Sequence, residues 1–151
     1  MNFADAVRRT PEIAECLKNG LQALGGNSRK IKIRGPRDLK GSVDIDACLA
    51  RRYPNAPRWD YVFGYKNHVY YVEVHQGKAS EIEKVIRKFN WLKQWRARSA
   101  TSLEDLKDQS SYHWVSTQGT ASIRQRSNFR RRLDQNGIGG PSSVLKVDTV
   151  P

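Results

Sequence analysis

The chain has 151 residues, 38% hydrophobic and 28% charged, a length that suits one domain with a proper core and leaves little room for two. No apolar run approaches the ~20 residues of a membrane span, which excludes a membrane-spanning helix from the reading. Lysine and arginine total 27 against 15 acidic residues, a formal charge of +12, and so basic a small domain points to an anionic partner, nucleic acid first.

In chain order, MNFADAVRRT lacks the apolar core of a signal peptide, so a cytoplasmic protein is expected. Residues 2–24 read as helical, with a separate short turn of helix before Thr10. Thr10-Pro11-Glu12 is the start signal of the main helix, with Thr as cap and Pro at the first position. Ala14, Leu17, Leu21 and Leu24 form its apolar stripe, and Gly25-Gly26-Asn27 ends it. Cys16 and Cys48 form no CxxC pair and fit a reducing compartment, which predicts two small buried residues.

Residues 30–34 alternate and read as a strand, and 35–41 as a loop. Residues 42–49 alternate again, with Val43, Ile45 and Ala47 on one face and Asp44 and Asp46 on the other. A loop with two prolines spans 51–58. Residues 58–77 then read as two strands around a tight turn. The clearest helix is 80–98, where Ser80 and Glu83 have capping-box spacing. A polar connection (99–111), a strand (112–117), a basic helix (120–135), a turn (136–143) and a last strand (144–147) complete the chain. The order predicts a single α/β (α+β) domain, with a small mixed sheet flanked by helices.

The 58–77 hairpin carries three polar residues among Tyr, Val and Phe: Asp60, Glu73 and His75. If Lys66-Asn67 is a two-residue turn, Tyr65 pairs with His68 and Asp60 falls opposite Glu73, on one face with Cβ atoms ~5 Å apart. A three-residue turn would put them on opposite faces. Opposed carboxylates repel, so a cation between them, a basic side chain or a retained proton must relieve the pair. Mg2+ takes oxygen ligands and keeps several waters, so such a pair plus a substrate phosphate would suffice to hold it.

Asp60, twelve intervening residues and then Glu73-Val74-His75 resembles the PD-(D/E)XK nuclease signature. The resemblance implies a restriction-endonuclease-like αβββαβ core over about residues 2–117, Mg2+ held by Asp60 and Glu73, and activation of a water for phosphodiester hydrolysis. Arg58-Trp59-Asp60 replaces Pro-Asp, and His75 replaces the signature's lysine. Lys78, Lys84 or Lys66 is then the source of the missing cation, with Lys78 taken into the catalytic set of Asp60, Glu73 and His75. The helix acid of the family would be Glu12 or Glu15. The whole chain also resembles small bacterial proteins of no assigned activity that carry the same Trp-Asp-Tyr and Glu-Val-His pieces.

On the 80–98 helix Ile82, Val85, Ile86, Phe89 and Leu92 share one face, and Lys84, Arg87, Lys88, Trp91, Trp95 and Arg98 are assigned to the other. Tryptophans among cations suit stacked bases and phosphates, unless both rings are buried under another segment. Arg124, Arg126 and Arg130-Arg131-Arg132 make a second basic cluster. His113 reads as a packed or hydrogen-bonded histidine. Three functions compete: a metal-dependent nuclease, a nucleic-acid-binding module with a decayed site, and an accessory protein that docks on an acidic protein surface. DNA or RNA suits the first two, and a protein partner or homodimer the third.

Overall fold

The computed structural model describes residues 1–117 and 128–149. Helix α1 (Phe3–Arg8) is the short helix expected ahead of Thr10. Asn2 caps it by accepting from Asp5 N (2.8 Å), while Asp5 accepts from Asn2 N (3.2 Å). The longer helix expected after Thr10 does not form. Thr10 Oγ1 donates back to Ala6 O (2.8 Å) and closes α1 instead of opening a new helix. Residues 14–16 and 22–30 are 3-10 turns, the second kinked at Gly25. Lys18 and Ser42 exchange backbone hydrogen bonds of 2.9 Å, so this segment runs along a sheet edge.

Strands β1 (Ile31–Lys32) and β2 (Leu39–Asp44) follow. The strand expected over 42–49 stops at Asp44, whose carboxylate accepts from Ala47 N (2.9 Å) and caps α2 (Ile45–Leu49). Aspartate offers the backbone this alternative to a ladder, and alternation alone did not reveal it. Asp44 and Asp46 therefore share no strand face, and Asp46 instead accepts from Arg58 Nε (3.0 Å).

The hairpin is β3 (Tyr61–Tyr65) and β4 (His68–His75), with Tyr65 opposite His68 across Lys66-Asn67. Lys66 takes the left-handed conformation such a turn requires, at φ 54°. Then come α3 (Ile82–Ser99), α4 (Thr101–Glu104), β5 (Ser110–Ser116), α5 (Asn128–Asn136), β6 (Ile138–Ser142) and β7 (Leu145–Lys146). The main sheet has the order β2-β3-β4-β5-β6, antiparallel from β2 to β4 and parallel from β4 to β6. β1 and β7 pair in parallel as a separate two-stranded sheet.

β6 occupies much of the expected 136–143 turn. A Cβ at Gly140 would lie 2.1 Å from the Trp114 carbonyl oxygen, so the glycines here allow β6 to approach β5 rather than marking a turn. The basic helix expected over 120–135 is described as α5 from Asn128 on, and Arg124 and Arg126 lie outside the described residues.

Both faces of the sheet are covered. Val62, Val69, Tyr71 and Trp114 pack under Phe3, Val85, Phe89, Leu92, Leu103 and Leu133 of the helices. Phe63, Tyr65, Tyr70, Val72 and Val115 pack under Leu24, Ile31, Leu145 and Val147. Gly64 lets α1 sit close, since a Cβ there would come within 2.5 Å of Phe3 Cβ. Among the described residues no helix is long and apolar enough to cross a membrane.

Cys16 and Cys48, expected as separate buried thiols, are joined in a disulfide that ties the 14–16 turn to α2. The pairing depends on the chain lying along β2, which no local spacing reveals. It counts against two free thiols in a reducing compartment. The bridge spans 32 residues of sequence. In the chain-entropy view such a loop contributes about 3–4 kcal/mol. A Cys16→Ser/Cys48→Ser variant is expected to lose that much in urea unfolding, and reductant should shift only the wild type.

Candidate functional site

The site begins with Trp59, which is fully buried, donates from Nε1 to Tyr61 O (3.1 Å) and packs against Phe89. Arg58, just before it, donates to Asp46 and to Tyr53 O (2.6 Å). α2 clamps the next residue from the other side, as Ile45 N donates to Asp60 O (2.8 Å). With its backbone held, Asp60 stands just ahead of β3, and the Tyr61–Val72 pairing continues to bring it opposite Glu73. The side chains exchange bonds with the opposing backbone: Asp60 N donates to Glu73 Oε1 (3.1 Å), and Val74 N donates to Asp60 Oδ2 (3.0 Å).

The cation between the pair comes from α3. Lys88 Nζ donates to Asp60 Oδ1 at 3.3 Å and to Glu73 Oε2. Glu73 is wholly buried, while Asp60 and Lys88 each keep a fifth of their side-chain surface open to solvent. His75 lies beside them, with Nδ1 3.5 Å from Glu73 Oε2 and Nε2 2.9 Å from Glu81 Oε1. Glu81 also pairs with Lys84 (3.5 Å).

Electrostatics follow the burial. Desolvation and the nearby Glu73 charge push Asp60 up to about 7, against the pull of Lys88 and Val74 N–H. Burial works to discharge Lys88, but Glu73 and Asp60 together outweigh it and hold the ammonium above its ordinary value. The hydrogen bond to Glu73 raises His75, burial opposes this, and Glu81 adds to the rise.

The structure brings together Asp60, Glu73 and His75, as the register argument expects. Lys78 is exposed and stands outside this cluster, Lys84 is exposed beside Glu81, and Lys66 lies over the Tyr65 ring at the hairpin turn. The neutralising cation is Lys88, which the sequence reading assigned to the outward face of the helix. Its position was readable: Val85, Lys88, Leu92 and Trp95 follow one another at spacings of three, four and three, a line along the edge of the apolar face.

Trp95 is buried for the same reason, with Nε1 donating to Glu12 (3.1 Å), and Trp91 stacks on it at 6.0 Å between ring centres. Glu12 also accepts from Tyr53 Oη (2.7 Å), and Glu15 is exposed, so neither joins Asp60 and Glu73. The Ser80–Glu83 box is not formed: α3 begins at Ile82 after a 3-10 turn, and Glu83 accepts from Arg132 Nη2 (3.0 Å). Arg87, Arg98 and Arg131 are exposed, while Arg130 donates to Ile138 O (2.9 Å) and Asp134. Sequence reasoning also missed Arg96. It is buried, donates to Glu104 (2.9 Å) and Tyr112 Oη, and lies over the Tyr71 and Tyr112 rings, fixing α3 to the sheet.

Two carboxylates turned toward one cation form an all-oxygen donor set that suits a hard divalent ion. Among the described residues no group of three or more His, Cys, Asp or Glu side chains is placed to hold a metal ion. Comparison with known proteins finds no matching family model, no similar curated protein and no similar solved structure.

Removing Lys88 leaves buried Glu73 without its counter-charge. Lys88→Met is expected to cost roughly 3 kcal/mol or more in urea unfolding. Adding Glu73→Gln should recover part of the loss, a coupling that a double-mutant cycle reads directly. Asp60 has a raised pKa, so its contribution to stability is full near pH 4 and is lost as pH rises through about 7. In metal-free buffer Asp60→Asn should therefore gain on the wild type between pH 4 and 8.

Proposed function

We propose that this protein is a nucleic-acid-associated protein in which Asp60, Glu73 and Lys88 form a nuclease-like site for Mg2+-dependent phosphodiester hydrolysis. The observation that carries the reading is the Lys88 ammonium set between opposed Asp60 and Glu73. It supplies from α3 an ammonium beside the pair, where His75 stands on β4 in place of the signature's lysine. Asp60 and Glu73 would hold the ion, which when bound supplies an acidified water and steadies phosphate charge. Lys88 keeps a fifth of its side-chain surface open to solvent, through which a phosphate oxygen would meet its ammonium. His75, held by Glu81, fixes the outer oxygen of Glu73. Exposed Lys84, Arg87, Arg98 and Arg131 are available to backbone phosphates, and the charge of +12 favours such a polyanion.

One observation favours a second reading, a binding module without chemistry. Every oxygen of the carboxylate pair already has a partner within the protein: Asp60 N, Val74 N and Lys88. A pair satisfied in this way can serve as a buried strut.

The test incubates the protein with DNA and RNA in Mg2+ or Mn2+, with EDTA controls, beside folded Asp60→Asn and Lys88→Met variants. Metal-dependent cleavage that falls roughly 100-fold or more in Asp60→Asn supports the first reading. Salt-sensitive binding without cleavage supports the second. No binding at low salt overturns both.

A further inference from the structure

The other face of the sheet carries a second polar cluster. β4 and β5 run parallel, with Tyr70 opposite Ser111 and Val72 opposite His113. Period two therefore sets His68 and Tyr70 on the same face as Ser111 and His113. His68 Nε2 lies 2.9 Å from Ser111 Oγ, and Ser111 Oγ lies 2.7 Å from His113 Nε2. Two imidazole nitrogens from adjacent strands thus converge on one hydroxyl. That hydroxyl has one proton, so only one of the two rings accepts from it, and the other must present its own N–H.

We propose that His68 and His113, with Ser111 between them, form a binding site for a borderline divalent transition-metal ion such as Zn2+ or Cu2+. Imidazole nitrogen is the preferred donor for these ions and a poor one for Mg2+. The geometry is held from several sides. The Tyr70 ring packs 4.5 Å from the His68 ring and 5.8 Å from the His113 ring. Gly139 of β6 faces His113, and a Cβ there would stand 3.4 Å from Nδ1, so the strand leaves the ring room without a competing side chain.

Burial holds both rings toward the neutral form, the one that coordinates. An ion needs only a tautomer change in one ring to meet a lone pair on each Nε2. Ser111 Oγ supplies the third donor, an oxygen, and water completes the set. This site is separate from Asp60 and Glu73, whose side chains lie on the helix-covered face.

The test titrates EDTA-stripped full-length protein with Zn2+ alone and Cu2+ alone by calorimetry, and follows the thermal midpoint. Binding of one ion per chain at the His68–His113 site, with a raised midpoint, is expected. The affinity should fall at least about 10-fold in His68→Gln and again in His113→Gln, the scale for disturbing a metal's ligand shell. The His68- and His113-dependent binding should be the same in Asp60→Asn and His75→Gln as in the wild type. Absence of binding, binding unchanged in both His68→Gln and His113→Gln, or binding lost only with His75→Gln overturns the proposal.

Discussion

Two carboxylates set side by side repel, and in this protein one ammonium eases the conflict while burial and Glu73 still hold Asp60 up to about 7. Lys88 can reach Asp60 and Glu73 only if α3 lies across β3 and β4 at one rotation about its axis. The rotation that inserts Lys88 also buries Val85, Phe89, Leu92 and Trp95. Ionic and apolar contacts therefore specify the same docking. Arg96 makes the arrangement redundant, since its bond to Glu104 and its place over Tyr71 and Tyr112 hold the far half of α3. A buried ion pair often adds little net stability against an apolar replacement. Its effect here is to select one packing of helix on sheet.

The hairpin was legible because its evidence is local. A two-residue turn fixes register, register fixes the Asp60–Glu73 opposition, and period two adds His75. Likewise Ile82 to Leu92 announce their helix. The parts that were not legible depend on distant chain. Thr10 carries the same signal whether it opens a helix or closes the one before it, and contact with the β2 edge decides. Asp44 sits in an alternating run that fits a strand until its carboxylate finds Ala47 N. The glycines before Pro141 resemble a turn unless Trp114 is known to lie against them. Cys16 and Cys48 meet only after the segment between them has folded back.

Lys88 is a different kind of miss. A lysine bordering an apolar face is read as solvent-facing because lysine is rarely buried unpaired. The unresolved repulsion between Asp60 and Glu73 was itself the demand for a partner, and Lys88 was the basic residue in line with Val85 and Leu92. Treating an unmet charge on one element as a query to the next would have joined the two.

The pairing of β1 with β7 has a consequence for synthesis. Ile31 meets Leu145 across more than a hundred residues, and Leu145 and Val147 help to cover Phe63, Tyr70 and Val72. While the ribosome is still making the chain, the hairpin can form and α3 can settle on it. The opposite face has only Leu24 and Ile31 to cover it until residue 145 has emerged. An apolar sheet face left open that long is open to self-association. The nascent chain thus passes through a stage in which one side is largely covered and the other remains adhesive.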